Sequence, residues 1–168
     1  SKPGFDPNIL SGGSGKQSIR DAFRRLYSDP LMPTLDKTMS GSYPPGSTYK
    51  PFSAFAALEP PPEAAIGKAI WNPRTRIQCR GFETFGNHVH GLVDMRDAIV
   101  QSCNVYFYKV AQEVGLDALA YWGLEFGFNQ KTGLGVNPES AGRIPTRSWF
   151  ATHYRGQFRG GYTLNAAI

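Results

Sequence analysis

The chain has 168 residues, 40% of them hydrophobic and 18% charged, which suffices for one domain, or one lobe of a larger one, and excludes a disordered tail. Its 18 Lys and Arg outnumber 13 Asp and Glu, for a net charge of +5, but only Arg24 and Arg25 are adjacent, so the basic stripe interleaved with aromatics that nucleic-acid binding requires is missing. No apolar run approaches the roughly 20 residues that span a bilayer, and no signal-peptide pattern is present, so the segment reads as soluble, with any targeting or anchoring element outside it.

Residues 1–19 are irregular, rich in Pro, Gly and Ser. Ile19, Ala22, Phe23 and Leu26 share one face of a short helix over 18–28, which Asp29-Pro30 ends. Tyr43-Pro44-Pro45-Gly46 is a rigid turn. The Ala-, Phe- and Leu-rich stretch 48–58 reads as a helix, and Pro51 is tolerated only in its first turn, which puts Ser47 at the helix N-terminus. Pro60-Pro61-Pro62 closes it. Residues 63–92 carry turn signals at Asn72-Pro73, Gly81 and Gly86-Asn87. A helix then starts near Asp94, which can cap the N–H three residues on, and runs through Val100. Ser102-Cys103-Asn104 interrupts it. A second helix over 105–114 stops at Gly115, and a third over 117–126 stops at Gly127. From 130 onward the chain is turn-rich. No segment alternates well enough to predict a strand, so the expected fold class is mainly α.

Ser47-Thr48-Tyr49-Lys50 is the one Ser-x-x-Lys of the chain. Residues three apart on a helix stand over each other, so Lys50 can reach the Ser47 hydroxyl. A desolvated amine can accept that proton, and the helix N-terminus favours a developing oxyanion. The plain alternative is a helix-capping Ser followed by a solvated Lys. Ser102-Cys103-Asn104 is the one Ser-x-Asn. Its Ser can relay a proton and its Asn amide can pair with a peptide-like substrate; the alternative is an ordinary interhelical turn. Cys79, His88, His90 and Cys103 fall within 25 residues. Thiolate and imidazole are zinc's preferred ligands, but the spacing is no standard finger, and a disulfide or free thiols stay open. His153, Tyr106, Phe107, Tyr108, Trp122 and Trp149 read as packing residues.

Ser-x-x-Lys together with Ser-x-Asn and Lys-Thr-Gly is shared by penicillin-binding proteins and serine β-lactamases. The chain resembles that superfamily over nearly its whole length. Residues 43–52 resemble the nucleophile segment of class B penicillin-binding proteins, and 101–108 their Ser-x-Asn segment. Residues 1–8 resemble the stretch after their first hairpin, while 126–133 and 143–149 resemble the elongation-type enzymes, the penicillin-binding protein 2 kind. Lys131-Thr132-Gly133 spells the third motif in the wrong context; the family's catalytic Lys-Thr-Gly lies further along. The resemblance therefore implies a partial transpeptidase domain over 1–168: the helical lobe of an α/β fold with most of its antiparallel sheet absent.

What the resemblance implies for function is peptidoglycan cross-linking. Ser47 is the nucleophile, Lys50 the base and Ser102 the proton relay, while Thr48 and Asn104 contact substrate. Stem peptides ending in D-Ala-D-Ala are the substrates, β-lactams the inhibitors, and a glycan polymerase of the SEDS class the partner. The site is the outer face of the cytoplasmic membrane, with the anchor helix outside these residues. Some elongation-type relatives hold zinc beside the Ser-x-Asn turn. Cys103 and His90 match two of their ligands, Cys79 stands where an Asp can, and His88 or water completes the set, since Asn72 is a poor ligand. Serine β-lactamases, D,D-carboxypeptidases and β-lactam sensors share the first two motifs. A non-catalytic helical module is the reading from another class, and the fragment alone is expected to be inactive.

Overall fold

The computed structural model describes residues 5–10, 16–62, 71–81, 88–135, 139–154 and 158–168; the turn expected at Gly86-Asn87 lies outside them. The chain divides into two compact units, Ser1–Ser42 with Gly133–Ser140, and Tyr43–Thr132 with Ala141–Ile168.

The first unit holds a 3-10 turn, Pro7–Leu10, and helix α1, Lys16–Ser28. Ile19, Ala22 and Leu26 are half-buried on one face of α1. Phe23, expected beside them, is exposed and stacks on Tyr27 with ring centroids 6.0 Å apart. Asp29 accepts the Leu31 N–H, and Asp36 accepts those of Thr38 and Met39, so aspartates close the turns that follow α1.

The second unit is built on helix α4, Asn104–Glu125, which packs against α2, Lys50–Leu58, and α6, Gly160–Ala166. Phe107, Val110, Ala111 and Val114 form a buried face of α4. The matching face of α2 carries Ser53, Ala54, Ala56 and Ala57, small side chains that let the two helices approach closely. Ser53 is fully buried, and its hydroxyl donates to the carbonyl of Ala167 at 2.8 Å, which satisfies both polar groups. Gly115, predicted to end a helix, has φ +79 and breaks α4 at that point, a backbone state glycine adopts without steric penalty.

Two three-residue strands, β1 (Ile77–Cys79) and β2 (Gly91–Val93), pair antiparallel with Cys79 opposite Gly91. The sequence predicts no strand here, because three residues are too few for an alternating pattern to register. Cys79 and Val93 face the core, while Gln78 and Leu92 are exposed. Helix α3, Met95–Val100, starts where predicted: Asp94 accepts the N–H of Asp97 at 3.0 Å. Helix α5, Arg147–His153, and α6 lie in the stretch read as turns. Thr146 caps α5 by accepting from Trp149 N–H; each helix has only two turns, too short for periodicity to declare it. Around them Phe150, Tyr154, Phe158 and Tyr162 form an aromatic cluster.

Candidate active site

The nucleophile candidate sits on a 3-10 turn, Gly46–Tyr49, that feeds directly into α2. The expected helix start at Thr48 therefore moves to Lys50, with Ser47 in the tighter turn just before it. Gly46 has φ +58, which converts the rigid Tyr-Pro-Pro lead into the turn. Thr48 is exposed, and its hydroxyl donates to Pro45 O at 2.7 Å, pinning the same turn. Pro51 occupies the first turn of α2, as predicted.

The second motif is held by the end of α3. The N–H of Ser102 bonds Ile99 O and that of Cys103 bonds Ala98 O, with Ser102 at φ +53. This is a Schellman motif with Ser102 in its left-handed position. The end of α4 repeats the arrangement with Gly127 at φ +88, where Gly127 N bonds Leu124 O and Phe128 N bonds Gly123 O. One end uses glycine; the other uses a serine, at a steric penalty of about 1–2 kcal/mol. Strain of this kind persists where a side chain is needed.

Lys50 explains the need. The side chain is 2% exposed, and its Nζ lies 3.0 Å from Ser47 Oγ, 2.9 Å from Ser102 Oγ, 2.7 Å from Ser102 O and 2.6 Å from Asn104 Oδ1. The ring of fully buried Phe107 lies beneath it, 5.9 Å from Nζ to centroid. Two of the four oxygens are carbonyls, which only accept; two are hydroxyls, which accept or donate. An ammonium is satisfied here by donating three N–H bonds. A neutral amine is satisfied too, with two N–H groups on the carbonyls and its lone pair toward a hydroxyl. Burial pushes the Lys50 pKa below its ordinary value, against the opposing effect of Cys103, so the neutral form is brought closer to physiological pH. The sequence-predicted Ser47, Lys50, Ser102 and Asn104 are thus brought together.

A third cluster adjoins this turn. Cys79 Sγ lies 3.3 Å from His90 Nδ1, and the ligand atoms of Cys79, His90 and Cys103 all lie within 4.8 Å of one another. Both cysteines are buried and free, so the disulfide alternative is not formed. Burial pushes the Cys79 thiol up, but backbone N–H groups of His90 and Gly81 and the Cys103 thiol outweigh it and hold Cys79 below its usual range. Burial pushes Cys103 up, and the neighbouring Cys79 sulfur adds to this. His88 meets Cys79 through its backbone carbonyl, 3.8 Å from Sγ. Asn72 accepts the N–H of Arg74 instead. A cleft of about 320 Å³ is lined by Cys79, His88, His90, Ser102 and Asn104 among others. Lys131, Thr132 and Gly133 are exposed in irregular backbone beyond α4.

Tyr49 escapes a motif-based reading. It is buried, its hydroxyl donates to Leu119 O at 3.3 Å, and its ring contacts Phe52 and Phe128. It ties the Ser47 turn to α4, the helix that carries Asn104 at its start.

The arrangement has known counterparts. The family described as penicillin binding protein transpeptidase domain matches residues 1–166. The peptidoglycan D,D-transpeptidase MrdA of Haemophilus influenzae is 33% identical over 173 residues, covering 100% of this chain and 26% of that protein. The crystal structure of Pseudomonas aeruginosa PBP2 in complex with WCK 5153 is similar with a TM-score of 0.80 and 29% identity, covering 100% of this chain and 38% of that one. PBP2 of Helicobacter pylori in its complex with MreC gives 0.73 and 29%, covering 89% and 28%. The chain spans about a quarter of the length of the curated relatives it matches. Its sequence and its backbone point to the same group of proteins, and the chain belongs to the penicillin binding protein transpeptidase domain family, with relatives of the class B elongation kind.

Proposed function

We propose that these residues form the acylating half of a peptidoglycan D,D-transpeptidase. The observation that carries the reading is the buried Lys50 amine, within 3.0 Å of Ser47 Oγ and also bonded to Ser102 and Asn104. Ser47 Oγ attacks the carbonyl carbon of the penultimate D-Ala of a stem peptide, and its proton passes to neutral Lys50 Nζ. The carbonyl electron pair moves onto oxygen, facing the Ser47 backbone N–H. As the intermediate collapses, the bond to the terminal D-Ala nitrogen breaks, and Lys50 returns the proton to that nitrogen through the Ser102 hydroxyl. An ester on Ser47 remains, and the amine of a second stem peptide resolves it by the reverse sequence. Asn104 and Thr48 hold the substrate backbone. A β-lactam acylates Ser47 in the same way, but its leaving nitrogen stays tethered.

In this reading the chain is part of a transpeptidase domain whose catalytic Lys-Thr-Gly strand lies elsewhere in the protein. The protein works on the outer face of the cytoplasmic membrane beside a SEDS-class glycan polymerase, and the Helicobacter PBP2–MreC complex supports an MreC-like protein as a second partner. No helix among the described residues is long and apolar enough to cross a membrane. Cys79, His90 and Cys103 hold zinc: two sulfurs and an imidazole nitrogen, buried and mutually close, are the donor set that ion prefers. Bound there, such an ion would tie β1, which carries Cys79, to the Ser102 turn, which carries Cys103.

The test is labelling by a fluorescent penicillin of the full-length protein containing these residues. Stable labelling that disappears in Ser47→Ala supports the reading. Labelling retained in that variant excludes Ser47 as nucleophile, and rapid turnover of the drug favours a β-lactamase. The 168 residues alone are expected to stay unlabelled.

A further inference from the structure

Cys79 and Cys103 are 24 positions apart in sequence, yet their sulfur atoms lie within 4.8 Å of each other. Cys103 is 0% exposed. Cys79 is nearly as buried but lines the cleft of about 320 Å³ that opens beside Ser102 and Asn104. One sulfur is therefore reachable by a small molecule, and the other waits behind it. This is the arrangement of an attacked thiol with its resolving partner.

We infer that Cys79 and Cys103 are an oxidation site, a thiol pair that closes reversibly to a disulfide and that bound metal protects from closing. Hydrogen peroxide, a small neutral oxidant, fits the cleft. Its O–O bond breaks as the Cys79 sulfur takes one hydroxyl, giving Cys79–SOH and one water. The Cys103 sulfur then attacks the Cys79 sulfur, forming the S–S bond and expelling the hydroxyl as a second water with the Cys103 proton. Two thiols are oxidised by two electrons, and one peroxide is reduced to two waters. A metal ion claims the same sulfur electron pairs, and a disulfide sulfur is no longer a thiolate ligand, so the two states exclude each other. Closure binds β1 covalently to the residue between Ser102 and Asn104, placing a redox lock on the turn that holds Lys50. The pair stands independently of the transpeptidase reading; only the protection by metal rests on the zinc proposal.

The experiment uses the reduced protein in two portions, one stripped with a chelator and one loaded with zinc, with the zinc content of each measured first. Both receive hydrogen peroxide, followed by thiol titration and peptide mass spectrometry; Arg80 and Arg96 place trypsin sites between the cysteines. The expected result is that stripped protein loses both thiols together and yields a cross-linked peptide pair containing Cys79 and Cys103. Dithiothreitol restores both thiols, and zinc-loaded protein keeps them. Cys103→Ser should halt Cys79 at the sulfenic acid, trapped by dimedone. Cys79 advancing to sulfinic or sulfonic acid while Cys103 stays a thiol overturns the inference. So does cross-linking at equal rate in protein that retains its zinc. If zinc is not taken up at all, the metal reading fails, and the presence or absence of the cross-link still decides the thiol pair.

Discussion

Gly123 leaves room for the hydroxyl of Tyr49: a Cβ at Gly123 would lie 2.7 Å from Tyr49 Oη and 2.8 Å from Ile144 Cδ1. Tyr49 lies between Thr48 and Lys50 and bonds the Leu119 carbonyl of α4. The absent side chain on one helix therefore sets how closely the Ser47 turn can approach it.

Gly123→Ala is accordingly expected to destabilise the protein by about 1–3 kcal/mol, the usual penalty of overpacking, although alanine is the better helix former. Tyr49→Phe removes the nearer of the two clashing atoms. The double variant should lose less stability than the sum of the singles. Urea denaturation of the four proteins measures this, and additivity within about 0.3 kcal/mol would show that the two residues do not share the space.

The two Schellman ends give a second test. At φ +53 alanine carries about 1–2 kcal/mol of strain, whereas glycine loses about 0.4–1 kcal/mol through its freer unfolded chain. The strain is the larger effect, so Ser102→Gly should be more stable than Ser102→Ala by denaturant titration. Both lack the hydroxyl that faces Lys50, so both should label with penicillin more slowly than the parent. If alanine proves the more stable, the left-handed turn is not rigidly held.

The parts legible in the sequence are those where local chemistry decides the structure. Pro51 confines the start of α2, Asp94 caps α3, Gly115 breaks α4, and three-residue spacing stacks Lys50 on Ser47. The Ser-x-Asn turn could be placed between helices from its composition, but its approach to Lys50 depends on packing across 52 positions, which no local pattern encodes. The same holds for Tyr49 against Gly123 and for Ser53 with Ala167. Helices α5 and α6 and the β1–β2 ribbon leave no mark in the sequence because each is too short for its period to show, and they are held by contacts rather than by propensity. The cysteines came together as the grouping of Cys79, His90 and Cys103 suggested, while His88 contributes its carbonyl to the contact with Cys79 instead of its ring.

The cap of α3 is expected to act on the site from a distance. Asp94 accepts the Asp97 N–H at one end of a six-residue helix whose other end is the Ser102 turn. Asp94→Ala should cost about 1 kcal/mol, whereas Asp94→Asn keeps the acceptor and should cost much less. Thermal melting of both variants measures the difference; equal losses would assign the effect to the charge and not to the cap.

The buried amine makes stability depend on pH in a direction that can be worked out. Burial lowers the Lys50 pKa in the folded protein below its ordinary 10.5. Between these two values the unfolded chain binds a proton that the folded protein does not, so unfolding takes up a proton and stability rises with pH. Below the folded value the penalty for the buried charge is fully present; above 10.5 it is gone. Changes in pH act on the rest of the protein as well, so the informative quantity is the difference between the parent and Lys50→Met. The parent's urea midpoint should gain on that of the variant as pH is raised through this window. Because the base must be neutral to take the Ser47 proton, penicillin labelling of the parent should also accelerate, with a midpoint below that of a free lysine. A constant difference in midpoint across the window would mean that the amine titrates as though it were in water, and Lys50 could then not serve as the base.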